Sequence, residues 1–163
     1  MKRLSQAELR ALCHEAAAVP RRRTHQLWHR DHADGVQRLA MALQPGTYVR
    51  PHRHAEPPKW EALVLLKGQV SLLTFDDDGT VLERVELTHP EGCVVVETPA
   101  GKWHSLVALE PDSALFEFKQ GPFAPSEFAS WAPAEGSTDE AQITAWLRDA
   151  RTGDRYRLSW PPF

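Results

Sequence analysis

Two histidines one residue apart, His52 and His54, are followed by Glu61 and later by His104. In an extended chain alternate side chains share a face, so His52 and His54 point the same way, and Arg50 with them. Glu61 comes after the short stretch "AEPPKW", on what reads as the adjacent antiparallel strand, from which its carboxylate can return to the same face. His104 opens a strand just after the tight turn "PAGK". Burying three imidazoles and a carboxylate together is costly without compensation. A divalent transition metal supplies that compensation, because neutral imidazole and carboxylate are ligands for Fe, Ni, Cu, Zn or Mn. One such ion on His52, His54, Glu61 and His104 is the expectation. The alternative is a metal-free polar pocket in which a histidine serves as a base.

The elements that must position these residues are mostly strands. Between Val36 and Lys119 short β-rich segments (36–43, 47–54, 59–67, 69–75, 80–88, 93–98, 103–110 and 113–119) alternate with breakers such as "QPG", "EPP", Gly68, "DDDG", "HPEG", "PAG" and "EPD". That pattern predicts an all-β sandwich or barrel. Ahead of it, Ser5 and Glu8 form an S-x-x-E capping box, Leu4 and Leu9 a hydrophobic staple, and Pro20 ends the helix. "RRRTHQLWHRDHADG" reads as an irregular crossing loop. A second helix is predicted near 138–149, with Ser137 and Glu140 at capping-box spacing. The chain divides into a helix and crossing loop (1–35), a barrel (36–120) and a C-terminal extension packed on it (121–163), all within one domain.

Several charged residues could serve the same pocket. Arg50 could clamp a carboxylate or phosphate bidentately, or sit at the rim paired with Glu61, Glu83 or Glu117. Lys59 shares a face with Glu61, and Glu117 with Lys119; these could orient a substrate or move protons, or form a charge network at the barrel mouth. Tyr48, on the His-x-His strand, is a further catalytic candidate beside Arg50 and Glu117. Arg50, Lys59, Lys119 and His25 are the candidate substrate contacts. The run Arg21–Arg22–Arg23 reads as a solvated linker rather than a phosphate grip. His29, Asp31, His32 and Asp34 read as turn and capping residues, and "DDDG" (76–79) as a hairpin turn. Alternation turns Trp60 and Trp103 away from the ligands, into packing.

Nineteen basic against 22 acidic residues give a formal charge of −3, without the basic footprint of a nucleic-acid binder. No apolar run is long enough to span a bilayer, and the N-terminus lacks a signal-peptide pattern. The two cysteines, Cys13 and Cys93, form no CxxC pair and read as reduced thiols. A cytoplasmic protein is expected, as a homodimer that covers its apolar strand faces.

Here the residues reach a resemblance. "G46-x5-H52-x-H54-x6-E61-x6-G68" resembles the first cupin motif and "G92-x6-P99-x-G101-x2-H104" the second. The His54–Glu61 spacing is longer than the usual three or four residues, and Ala108 stands where an asparagine is common. More of the chain ("DGVQRLAMALQPGTYVRPHRH", "KWE", "FDDDGTV", "PAGKWHSLVALEPDS", "FEFKQGPF" and "WAPAEG") is similar to the WbuC-type cupin metalloproteins, encoded near O-antigen polysaccharide genes in some bacteria. The resemblance implies a jelly-roll barrel with a metal on His52, His54, Glu61 and His104. It implies no named substrate; the expected activity, on a carbohydrate or related metabolite, is metal-dependent chemistry of isomerase or dioxygenase type. The other expectations are a sugar-binding module without turnover and a metal-free epimerase-like cupin using a histidine and a tyrosine.

Overall fold

The computed structural model describes residues 1–157; residues 158–163, the end of the expected C-terminal extension, lie outside the described residues. Helix α1 (Gln6–Ala18) begins at the expected capping box: Ser5 Oγ accepts from Glu8 N at 3.2 Å, and Glu8 Oε2 accepts from Ser5 N at 2.7 Å. Leu9, Leu12, Cys13 and Ala16 face inward at helical spacing and meet Ala40, Ala42 and Ala114, with Leu4 packed against the same cluster. Alanines on the strands let the helix lie close to the sheet.

Ten strands follow, β1 (Arg23–Leu27), β2 (Val36–Leu43), β3 (His52–Arg53), β4 (Glu61–Lys67), β5 (Gln69–Phe75), β6 (Val81–Thr88), β7 (Val95–Thr98), β8 (Trp103–Ala108), β9 (Ser113–Gln120) and β10 (Glu127–Phe128). They form two antiparallel five-stranded sheets, ordered β1-β2-β9-β4-β7 and β10-β3-β8-β5-β6. Helix α2 (Glu140–Asp149) is the last helix or strand among the described residues. The all-β architecture with terminal helices is the predicted one.

Three local expectations change. The crossing loop contains β1, which pairs with β2 from Arg23↔Leu43 to Leu27↔Leu39. As an edge strand with exposed side chains it carries no apolar alternation to reveal it. The strand expected over 47–54 shrinks to His52–Arg53, because the chain before it is held by side chains rather than by a ladder. Arg23 Nη1 donates to Tyr48 O (2.6 Å), Thr47 Oγ1 to Arg21 O (2.7 Å) and Tyr48 OH to Pro133 O (2.8 Å). Helix α2 starts at Glu140 with Asp139 as its N-cap, and the Ser137–Glu140 capping box does not form; Glu140 Oε2 accepts from Gly136 N instead.

The apolar residues lie in three layers. Alongside the α1 layer, a cluster inside the sandwich contains Leu43, Leu63, Leu65, Leu72, Leu106 and Leu115. The third packs α2 residues Ile143 and Leu147 on Leu73, Phe75, Trp103 and Val107. Burying each of those two helix side chains contributes about 1.5–3 kcal/mol, which is what holds a ten-residue helix of weak intrinsic stability in place. The sandwich interior is therefore apolar along most of its length. At one end polar residues replace the leucines in two facing rows. His52, His104 and Thr74 lie side by side across β3, β8 and β5. Lys119, Glu61 and Thr98 do so across β9, β4 and β7.

Candidate metal centre

The three histidines converge from two strands and a strand end. Their ring centroids lie 4.3 Å (His52–His104), 5.4 Å (His52–His54) and 5.5 Å (His54–His104) apart. Each offers one ring nitrogen, and the three nitrogens all lie within 4.8 Å of one another. His52 and His104 sit opposite each other in the β3–β8 ladder, so backbone pairing alone sets their spacing. Each donates Nδ1–H to the carbonyl two residues earlier, Arg50 O at 2.9 Å and Lys102 O at 2.8 Å. A carbonyl only accepts, so the proton is on Nδ1 and the Nε2 lone pair is free to face the centre.

Glu61 reaches the same place despite its distance in sequence from His54. The intervening stretch folds into a local turn, with Lys59 N bonded to His54 O at 3.1 Å and a bridge between Ala55 and Pro58. The extra residues are absorbed there, and β4 starts opposite the histidines. Glu61 Oε2 lies 3.1 Å from His54 Nε2 and Oε1 3.5 Å from His104 Nε2. Two ligands about 2.1 Å from one ion at a right angle stand about 3 Å apart, so these separations suit a shared cation. His104 Nε2 is buried with no hydrogen-bond partner among the described residues. A lone pair desolvated in that way is what a metal would satisfy. The donor set, three neutral imidazoles and one carboxylate, fits a divalent transition ion.

The charges around this cluster are compressed. Burial disfavours an ionised Glu61, but His104, His54 and Lys119 outweigh it and hold its carboxyl well below the usual range. Burial, together with the neighbouring His104, keeps His52 neutral, with a pKa pushed down to about 3. For His104 burial acts against protonation, yet the adjoining Glu61 raises its pKa overall. Lys119 Nζ bridges Glu117 Oε1 (2.9 Å) and Glu61 Oε2 (3.5 Å). Burial and the charge of Glu61 push Glu117 up to about 7 against the pull of Lys119.

Among the expected site residues, His52, His54, Glu61, His104, Glu117 and Lys119 come together. The others go elsewhere. Arg50 donates to Ala132 O (3.2 Å) and Ala129 O (3.3 Å) and lies 5.1 Å over the Phe128 ring. Its guanidinium braces the C-terminal segment and pairs with none of Glu61, Glu83 or Glu117. Tyr48 is in the α2 layer, on the far side of the sheet from the histidines. Lys59 is buried and donates to Pro122 O. His25 stays exposed on the edge strand β1, paired with Met41. The arginine run forms ties: Arg21 and Arg23 hold Glu135, and Arg22 donates to Pro45 O at 2.7 Å.

The turn readings agree with the structure. Asp31 and Asp34 accept from backbone N–H groups of Ala33 and Arg30, and Asp76 Oδ1 accepts from Thr80 N at 2.8 Å. Trp103 packs in the α2 layer and donates to Asp77 Oδ1 at 2.9 Å. Sequence reasoning missed Thr74 and Thr98, which complete the two polar rows; strand parity counted from His104 and Glu61 would have found them. It also missed Ser126, whose hydroxyl lies 3.3 Å from His54 Nδ1. No spacing signal marks that residue.

Solved structures place this architecture among the cupins. A cupin-2 domain protein from Rhodospirillum rubrum aligns with TM-score 0.52 and 13% identity, over 77% of this chain and 80% of that one. A cupin-like protein from Thermotoga maritima aligns with TM-score 0.52 and 17% identity, over 75% and 84%. A deletion mutant of Bacillus subtilis oxalate decarboxylase aligns with TM-score 0.46 and 22% identity over 59% of this chain, which spans 24% of that protein's length. At such identities the likeness is one of fold, and the fold is the cupin jelly roll. No curated protein matches the chain in sequence. Residues 4–87, from the N-terminal helix through β6, match the domain of unknown function DUF6016, and the chain belongs to that family.

Proposed function

We propose that this protein binds one divalent transition metal through His52, His54, His104 and Glu61, and acts there on a small, oxygen-rich, anionic metabolite of the carbohydrate kind. The observation that carries the reading is the convergence of three imidazoles, two of them fixed by backbone carbonyls with Nε2 directed at one point. A bound ion would supply Lewis acidity toward a carbonyl or hydroxyl group, or dioxygen chemistry if it is iron. The chain's own residues do the rest. Lys119, half-buried beside the cluster, offers an ammonium placed to hold a substrate anion, and the buried Glu117 next to it is a carboxyl group placed to carry a proton. The similarity to WbuC-type cupins favours a role in bacterial surface polysaccharide synthesis; the free cysteines favour the cytoplasm, and exposed apolar strand residues such as Leu27, Val36 and Val95 favour a homodimer. The metal-free epimerase-like reading loses its tyrosine, because Tyr48 and Tyr156 both lie in the α2 layer.

Elemental analysis of purified protein beside His52→Ala and His104→Ala tests this reading. About one transition metal per chain in the wild type, lost in both variants, is expected. Absence of metal after reconstitution under reducing conditions would sink it. Turnover of uronic and other sugar acids by the loaded protein then separates an enzyme from a sugar-binding module, which would bind them unchanged.

A further inference from the structure

His54 differs from the other two histidines in how its ring is held. His52 and His104 are anchored locally, each by the carbonyl two residues before it, where the chain enters the strand. His54 lies just past the end of β3, and its ring partners among the described residues are side chains, Glu61 and Ser126. Its Nδ1 is met instead by Ser126 Oγ, 3.3 Å away and 72 residues on in the chain. Ser126 is itself firmly placed. On one side Phe123 N donates to His32 O (2.7 Å) and Lys59 holds Pro122 O. On the other, β10 pairs with β3, Arg53 holds Glu127 through two hydrogen bonds (2.9 and 3.0 Å), and Ala129 N donates to Pro51 O (3.0 Å).

We propose that Ser126 is a positioning residue for the metal centre: its hydroxyl accepts Nδ1–H of His54 and keeps Nε2 of that imidazole facing the other ligands. The inference rests on the metal-binding reading above. Without the hydroxyl, a ring that is 5% exposed loses the acceptor for its Nδ1 proton. The ring is then free to change tautomer or turn. Removing an outer partner of this kind weakens metal affinity by about 10–100-fold.

Competition titration of Zn²⁺ and Co²⁺ against a chromophoric chelator, on metal-free wild type, Ser126→Ala and Ser126→Thr, is the test. Ser126→Ala should bind about 10–100-fold more weakly and show an altered Co²⁺ visible spectrum. Ser126→Thr, which restores the hydroxyl, should return both toward wild type. Melting of the metal-free proteins should be alike, which separates ligand orientation from general loosening. Wild-type affinity in Ser126→Ala, or a threonine variant as weak as the alanine, overturns the role of Ser126 while leaving the metal site standing. A wild type that takes neither ion overturns the metal reading and this inference with it.

Discussion

Arg50→Ala separates two roles that the same residue could have had. A substrate clamp would lose affinity for an anion and leave the fold intact. The structure predicts the reverse. Arg50 donates to the carbonyls of Ala129 and Ala132, residues only 1% and 2% exposed, and covers the Phe128 ring. Hydrogen bonds from a charged donor contribute about 1.5–3 kcal/mol each at good geometry. At 3.2 and 3.3 Å these two are long, so about 1 kcal/mol apiece is the fitting figure. The cation–π contact at a half-open site adds about 0.5–1 kcal/mol. The loss is then about 2–3 kcal/mol, and with a urea m-value of about 2 kcal/mol/M the unfolding midpoint falls by roughly 1–1.5 M. Equilibrium urea unfolding followed by tryptophan fluorescence measures it, with metal content determined in parallel and expected to stay at the wild-type value. A midpoint within about 0.2 M of wild type would refute the bracing role and return Arg50 to the list of substrate contacts.

Two further perturbations test other parts of the fold. Gly68, at φ +77° between β4 and β5, would bring a Cβ to 2.8 Å from Ser113 Cα, so Gly68→Ala should cost about 2–4 kcal/mol in the same unfolding assay; a loss below about 0.5 kcal/mol would show that the turn can relax. Glu135 is hydrogen-bonded by Arg21 and Arg23, which hold its carboxyl below the usual range, so its contribution is present above the unfolded-state pKa and is lost as pH falls through the depressed native value. The gap in melting temperature between wild type and Glu135→Gln should accordingly close between pH 5 and about pH 3, and a gap independent of pH would contradict the linkage.

What could be read from the sequence follows ladder geometry. His52 and His104 lie in regular strands, where alternation and a tight turn suffice to aim a side chain, and both arrive where parity puts them. Glu61 was legible as well, since "AEPPKW" turns back on itself and resumes the strand in the right phase. Arg50 and Tyr48 went astray for one reason: parity was counted back from His52 through a stretch that is not a strand. Long-range ties, such as Arg23 to the Tyr48 carbonyl, decide the backbone there, and local spacing carries no trace of them. Ser126 was illegible in the same sense. Its meaning depends on a segment folding back across the sheet to meet His54, and nothing in "APSEF" records that meeting.

The strand order of the first sheet has a consequence in time. β9 occupies the middle position, pairing with β2 on one side and β4 on the other, with Val36 opposite Gln120. The centre of that sheet is the last of its strands to leave the ribosome. Until it emerges, β2 and β4 each carry an unpaired edge, and the Glu61 carboxylate and the leucines of β4 lack their neighbours on that side. Loop closure over such a span is slow, and β-sandwiches built from distant pairings fold in about milliseconds to seconds. The metal ligands are thus all synthesised before the strand that joins the β1–β2 pair to the β4–β7 pair, and the sheet that carries Glu61 is completed late.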